Sequence, residues 1–228
     1  MIFYKADVLK NEFEVKGSFY QVDVKGKRFE CRNYAQVYRK GRKTYEKTDA
    51  LFVLVNPGLC APKQSTYEIP QIKVGQHYEN YTLAKTDNTQ YQMMRFMKMK
   101  NWKNVLIINL SDIRAGNMKA LKEKLDVAKQ CSFDRHSIFS ETRKEELTKV
   151  LAKSNGPIIV AWGTNPMIKD LAERAMQALP NDRIVGREHE KRPYYFHASP
   201  PPIKGKLEWL EYMKDKVIKG IILLVLFV

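Results

Sequence analysis

The chain has 228 residues, with 40 Lys+Arg against 25 Asp+Glu and a formal net charge of +15. Its 44% hydrophobic content, with 12 Tyr, 10 Phe and 3 Trp, can bury a real core, which excludes disordered, collagen-like and coiled-coil chains. The length allows one large domain, or a compact domain with a small appendage, but not two full domains. Three scattered cysteines, Cys31, Cys60 and Cys131, form no CxxC pair. That argues against a disulfide framework or a zinc site and fits a reducing cytoplasm. So positive a surface suits nucleic acid, anionic lipid or an acidic protein, although a lysine-rich composition alone gives the same sum.

The opening MIFYKADVLKNEF carries early charges and no uninterrupted apolar stretch, so no signal peptide is expected. Residues 13–24 and 28–38 alternate roughly between apolar and polar, broken at Gly17 and Gly26. They read as a small antiparallel hairpin or meander, an N-terminal β extension over residues 1–48. The basic turn Arg39-Lys40-Gly41-Arg42-Lys43 follows, as a solvated loop or a phosphate contact. From Ala50 the rhythm becomes strand, loop and helix. The runs LFVLV at 51–55, VLII at 105–108 and PIIVA at 157–161 are short and continuously apolar, as in strands covered on both faces of a parallel sheet. Residues 194–196 are a shorter fourth candidate. Helical patterns lie at 88–100, 117–130, 141–153 and 165–179, with a final helix at 205–217. Asn165-Pro166 supplies an N-cap and a first-turn proline, and Thr142 with Glu145 fits a capping box.

The expected fold is therefore α/β, a three-layer α/β/α domain over 49–219 with a mostly parallel, four-stranded central sheet. Residues 221–228, IILLVLFV, are eight apolar residues in a row. A bilayer span needs about 20. The run reads as a buried edge element, with a membrane-touching tail or a dispensable extension as alternatives.

In such a sheet the ligand sits beyond the carboxyl ends of the strands. Those ends carry Asn56-Pro57-Gly58, Asn109, Trp162-Gly163-Thr164-Asn165 and His197-Ala198-Ser199-Pro200, which makes them the candidate site. His77, His136, His189 and His197 lack metal-ligand spacing, so no metal is expected. The absence of GxGxxG, GxxxxGK[ST] and GxSxG removes dinucleotide, P-loop and hydrolase-elbow readings. Cys60 reads as a small buried hydrophobe in preference to a nucleophile. What remains is a set of amides and one histidine. An asparagine can match a nucleobase edge with two parallel hydrogen bonds. A histidine can donate to an oxygen on which charge develops. Rigid turns offer backbone amides or a hydroxyl to phosphate.

These residues carry a resemblance. Val55-Asn56-Pro57-Gly58-Leu59 resembles the first motif of the uracil-DNA glycosylase superfamily, in the NPG form of its mismatch-specific branch. Val105-Leu106-Ile107-Ile108-Asn109 resembles the family's strand ending in the uracil-reading asparagine, and IIVAWG at 158–163 is similar to the strand closing in WG. His197-Ala198-Ser199-Pro200 resembles the second catalytic motif, HPSP. The four stand in the family's order over residues 50–203, and the overall pattern also resembles an uncharacterised bacterial and phage domain family. Ala198 replaces the usual proline, Pro201 stands where the main branch has an intercalating leucine, and Asn56 stands where that branch has a water-activating aspartate. No phenylalanine follows the first motif at a recognisable spacing, which leaves Tyr67, Tyr78 or Tyr81 to stack on the base.

The resemblance implies hydrolysis of the N-glycosidic bond of deoxyuridine in DNA, with water and no cofactor. Asn56 would position the water, His197 would stabilise the departing uracil and Asn109 would read its edge. Pro57, Gly58, Ser199 and Pro200 would grip flanking phosphates, Pro201 would fill the gap left by the flipped base, and Lys204 and Lys206 would touch the backbone. The implied partner is DNA, single-stranded or uracil-containing duplex, met by a monomer away from membranes; the residues specify no protein inhibitor or replication partner. The alternatives are a catalytically inert, glycosylase-fold DNA-binding protein and an N-glycosidase for another base.

Overall fold

A computed structural model describes residues 2–41 and 47–225. A short helix, α1 (Ala6–Glu12), precedes the hairpin of β1 (Phe13–Val24) and β2 (Lys27–Arg39). α1 buries only Leu9, too little periodicity to be read from the sequence. Next come β3 (Ala50–Leu54), two short strands β4 (Gln71–Ile72) and β5 (Tyr81–Leu83), and α2 (Asn88–Lys100). The chain continues through β6 (Asn104–Asn109), α3 (Met118–Gln130), α4 (Lys144–Ala152), β7 (Ile158–Val160), α5 (Lys169–Ala178), β8 (Ile184–Val185) and α6 (Ile203–Val225).

The fold is α/β, but the central sheet differs from the expected one. It has eight strands, in the order β4-β1-β2-β6-β3-β7-β8 with β5 paired to β1, and it is mixed rather than mostly parallel. The N-terminal hairpin continues the sheet: β2 runs antiparallel to β6, with Ala35 opposite Ile107. Apolar positions on both faces of β2 leave it no solvated side, so it closes the edge that β6 would otherwise expose. Only β6-β3-β7-β8 form the expected parallel core. The fourth parallel strand is Ile184–Val185 and not residues 194–196, where Tyr195 makes isolated bridges to Gly163 and Glu188. A two-residue strand is below what alternation can reveal.

Helices cover both faces. Met93, Phe96 and Met97 of α2 join Trp209 and Met213 of α6 against Phe52 and Ile107. Leu147 and Val150 of α4 join Leu171 and Ala175 of α5 against Val53 and Ile108. β3 is buried along its whole length, as its continuous apolar run requires. Asn165 caps its turn as expected, its Oδ1 accepting from the Met167 amide. The Thr142–Glu145 capping box does not form. Thr142 lies in a 3-10 turn ahead of α4, and its hydroxyl meets that of Ser140 at 3.1 Å. A full box instead caps α2, between Asp87 and Gln90.

Arg42 and Lys43 of the basic turn lie outside the described residues, as do residues 226–228. The backbone of α6 runs on to Val225, so the apolar run begins inside a helix; its burial lies outside the described side chains. Among the described residues no helix is long and apolar enough to cross a membrane.

One buried ionic network ties the loop after β6 to α4 and the hairpin. Arg143, 5% exposed, donates through Nη1 to Asp112 Oδ2 at 2.6 Å and through Nε and Nη2 to Glu146 at 2.9 and 2.7 Å. Tyr20 donates to the same Asp112 oxygen at 3.0 Å, and Tyr34 donates to Glu146.

Candidate functional site

The chain leaves β3 for β6 on one side and later places β7 on the other. β3 is therefore the switch point, where helices diverge to opposite faces and leave a crevice. The turns that follow β3 and β7 each bend through a glycine in the left-handed region, Gly58 (φ 64°) and Gly163 (φ 92°), a conformation that side-chain-bearing residues adopt at a cost. Between them opens a cavity of about 570 Å³, within the ~300–1,000 Å³ usual for small-molecule sites. Asn56, Pro57, Gly58, Trp162, Gly163, Thr164, Asn165, His197 and Pro201 all line it. Three of the four expected segments thus converge on one rim.

Asn56 is half-buried and its Nδ2 donates to the carbonyls of Ala115 at 2.8 Å and Ile113 at 3.4 Å. Those contacts fix which end of the amide is which and leave Oδ1 as an acceptor. His197 is fixed as well: its Nδ1 lies 3.1 Å from the Ser199 amide nitrogen and accepts that N–H. The neutral ring must then carry its proton on Nε2, a donor. Burial pushes the His197 pKa below the ordinary histidine value, against the opposing charge of Asp87. The Ser199 hydroxyl donates to the Asn88 carbonyl at 3.3 Å, which ties the histidine segment to the start of α2.

Asn109 ends β6 and pairs with Leu54 in the sheet. It is fully buried, and neither Oδ1 nor Nδ2 has a hydrogen-bond partner among the described residues. Alternation puts it on the same face as Ile107; Ile107 and Leu54 line the cavity, whereas Asn109 itself is not part of its lining. Ser199, Pro200, Lys204 and Lys206 stand outside the cavity lining; Lys204 is exposed and Lys206 half-buried in the first turn of α6. Tyr67, Tyr78 and Tyr81 do not line it either. Tyr78 belongs to a separate depression with Tyr20 and Arg135, and the Tyr81 hydroxyl donates to Glu79 from β5. The aromatic wall is Trp162, whose Nε1 donates to the Pro193 carbonyl at 3.0 Å and whose ring is met edge-on by Tyr195. Cys60 is buried and its sulfur sits between the Lys85 carbonyl and the Gln90 amide, as a core residue.

Two charged residues of the cavity have no counterpart in the sequence reading. Asp87 lines the cavity while capping α2. Arg32 lines it from β2, 2% exposed, with Nε and Nη1 unpartnered among the described residues. Nothing in the local sequence sets Arg32 apart from the other charged residues of the strand, Lys27, Arg28, Glu30 and Arg39. The rim also receives the amino ends of α2 and α3, whose partial positive charge favours anionic or electron-rich ligands.

Fold and cavity together define an α/β protein with a candidate ligand site at its topological switch point, a largely apolar cavity that carries a few polar groups. The chain belongs to a family of proteins of unknown function, DUF1643, whose model matches residues 38–197. That span holds Asn56, Asn109 and His197 and leaves out Arg32. No curated protein and no solved structure matches the chain.

Proposed function

We propose that this protein is a uracil-DNA glycosylase, which hydrolyses the N-glycosidic bond of deoxyuridine in DNA and leaves an abasic site. The observation that carries the reading is the pairing, in one cavity, of a neutral histidine with its proton on Nε2 and an asparagine whose amide oxygen is left free to hold water. The target base must leave its stack to enter, at a cost of a few kcal/mol. As the C1′–N1 bond breaks, its electron pair leaves with the base and charge spreads onto the uracil oxygens. His197 donates to one of them. Asn56 Oδ1 orients a water whose oxygen bonds to C1′, and the proton it sheds ends on the uracil anion. An amide is no base, so Asn56 acts by positioning. Trp162 offers the apolar wall for the base. Pro201 at the rim, with the 76% exposed Leu59 close by against Gly116, can occupy the gap left in the DNA.

The test is strand cleavage after alkaline treatment of uracil-containing single-stranded, U·G and U·A oligonucleotides, with a glycosylase inhibitor in parallel reactions to silence host contamination. Abasic product that is lost in Asn56→Ala supports the reading. No product, with DNA binding intact, leaves an inert binding protein in its place. Binding itself should weaken linearly on a log–log plot against salt, by about 0.7 per phosphate contact on single strands and about 0.9 on duplex.

Asn109→Asp should lower uracil excision and admit cytosine, because a carboxylate accepts from cytosine's amine where the amide matched the uracil edge. Competition kinetics with uracil- and cytosine-containing oligonucleotides measure it. Unchanged uracil excision would remove Asn109 from base recognition.

A further inference from the structure

A guanidinium buried without a counter-charge is costly, so an arginine in that state calls for an occupant that is not yet there. Arg32 is such a residue. It forms no ion pair among the described residues, and its Nε and Nη1 have no hydrogen-bond acceptor, yet it lines the cavity. The strand aims it there by an irregularity. β1 and β2 pair Ser18 with Tyr34 and Phe19 with Arg32, so Asn33 is an extra residue in β2. Such a bulge turns the neighbouring side chain to the other face. Asn33 and Tyr34 both point away from the cavity, toward Tyr78 and Glu146, and Arg32 returns to the face of Ala35 and Ile107. Strict alternation from Ala35 would have sent Arg32 to the opposite side.

Since Ala35 stands opposite Ile107, Arg32 across the bulge and Asn109 along β6 follow them on that same face, Arg32 in the cavity wall and Asn109 fully buried outside its lining. Their unpartnered groups make a pattern. Asn109 offers one donor and one acceptor, and Arg32 offers donors only. A ligand that matches them presents an acceptor, a donor and a second acceptor in a row, which is the O2, N3–H, O4 edge of uracil. Cytosine breaks the match, because its N3 carries no proton for the Asn109 oxygen and its amine is a donor where uracil has an acceptor; a phosphodiester has no donor for that oxygen either. Resting on the glycosylase reading above, we infer that Arg32 is a further base-binding residue: it holds the uracil oxygen onto which negative charge moves as the base departs, so that the cavity prefers an anionic pyrimidine-2,4-dione to a neutral one.

The test is direct binding of free bases to the full chain by calorimetry, with uracil, cytosine, inorganic phosphate and 5-nitrouracil, whose ring N–H is acidic enough to make it an anion at neutral pH. The parent protein should bind 5-nitrouracil about 10- to 100-fold more tightly than uracil, the range for one charge-assisted hydrogen bond. Arg32→Met should abolish that preference while its thermal midpoint stays level or rises, because the substitution removes a buried unpaired charge; a purely structural arginine would move the midpoint down. Should Arg32→Met fail to fold, the parent protein's preference still decides: equal affinity for the two bases overturns the inference. Phosphate that binds with the same dependence on Arg32 and displaces 5-nitrouracil also overturns it. Arg32-dependent base binding without any abasic product keeps this inference and removes glycosylase activity, whereas normal uracil excision by Arg32→Met keeps the activity and removes the inference.

Discussion

Replacing His197 with alanine is expected to slow uracil release by about 10²–10³-fold, the usual loss when one preorganised donor to a developing oxyanion is removed. The donor acts on charge that is absent from the bound substrate, so the loss should fall on kcat with little change in KM. Its pH signature follows from the hydrogen bond that fixes the ring. His197 Nδ1 is engaged by the Ser199 amide, and burial already holds the ring neutral, with its pKa below the ordinary value of about 6.5. The parent profile should therefore stay flat as pH falls through the ordinary histidine range. It should decline only at more acid pH, where a second proton would have to occupy Nδ1 and break the Ser199 contact. Single-turnover kinetics across that range measure both features. An inflection near the ordinary histidine pKa that disappears in His197→Ala would mean that the charged ring is the active form. Equal rates in the two proteins would remove His197 from the chemistry.

The second large effect is on stability. Arg143→Ala should destabilise the fold by about 3–5 kcal/mol, because it strands two carboxylates whose ion-pair partner among the described residues is Arg143. Asp112 is 1% exposed at the side chain, and burial pushes its pKa up to about 6 even with Arg143 at 2.6 Å. Burial pushes Glu146 up as well, but hydrogen bonds and charge from Arg143 outweigh it and hold that carboxyl below the usual range. The signs are opposite. Asp112 binds its proton more tightly in the folded state, so its contribution to stability falls as pH rises from the unfolded value of about 3.9 toward its folded value. Glu146 contributes stability above its unfolded value that is lost as pH falls. Without Arg143 both carboxyls must protonate to remain buried, so the deficit should be full above neutrality and shrink near about pH 5. Urea denaturation of both proteins at the two pH values checks this. A deficit that is equal at both would show that lost packing around the arginine, and not stranded charge, is the cause.

The parallel core was legible because its strands are short, continuously apolar and separated by helical periods. The runs at 51–55, 105–108 and 157–161 correspond to β3, β6 and β7, and all five helices expected from periodicity are present. The convergence of Asn56, Trp162 and His197 was legible for the same reason, since strand ends in a parallel sheet share one rim. What escaped the sequence are features that depend on distant partners. β8 has two residues and exists because β7 offers it an edge. The hairpin reads as an appendage until β6 pairs with it. The tyrosines after the first motif are the right residue type for stacking, but Tyr81 is held in β5 against β1, and the aromatic wall comes from Trp162.

By itself, then, the sequence determined the class of fold, the order of its parallel strands along the chain and the loops that meet at the site, because hydrophobic period and strand direction are local properties. Tertiary structure alone decided which polar groups of those loops are free to act. That Asn56 keeps its oxygen and His197 its Nε2 proton depends on carbonyls and amides supplied by the surrounding fold. That Arg32 enters the cavity at all depends on one extra residue in the register between β1 and β2, and strand pairing, unlike hydrophobic period, is a relation between segments that no single segment carries.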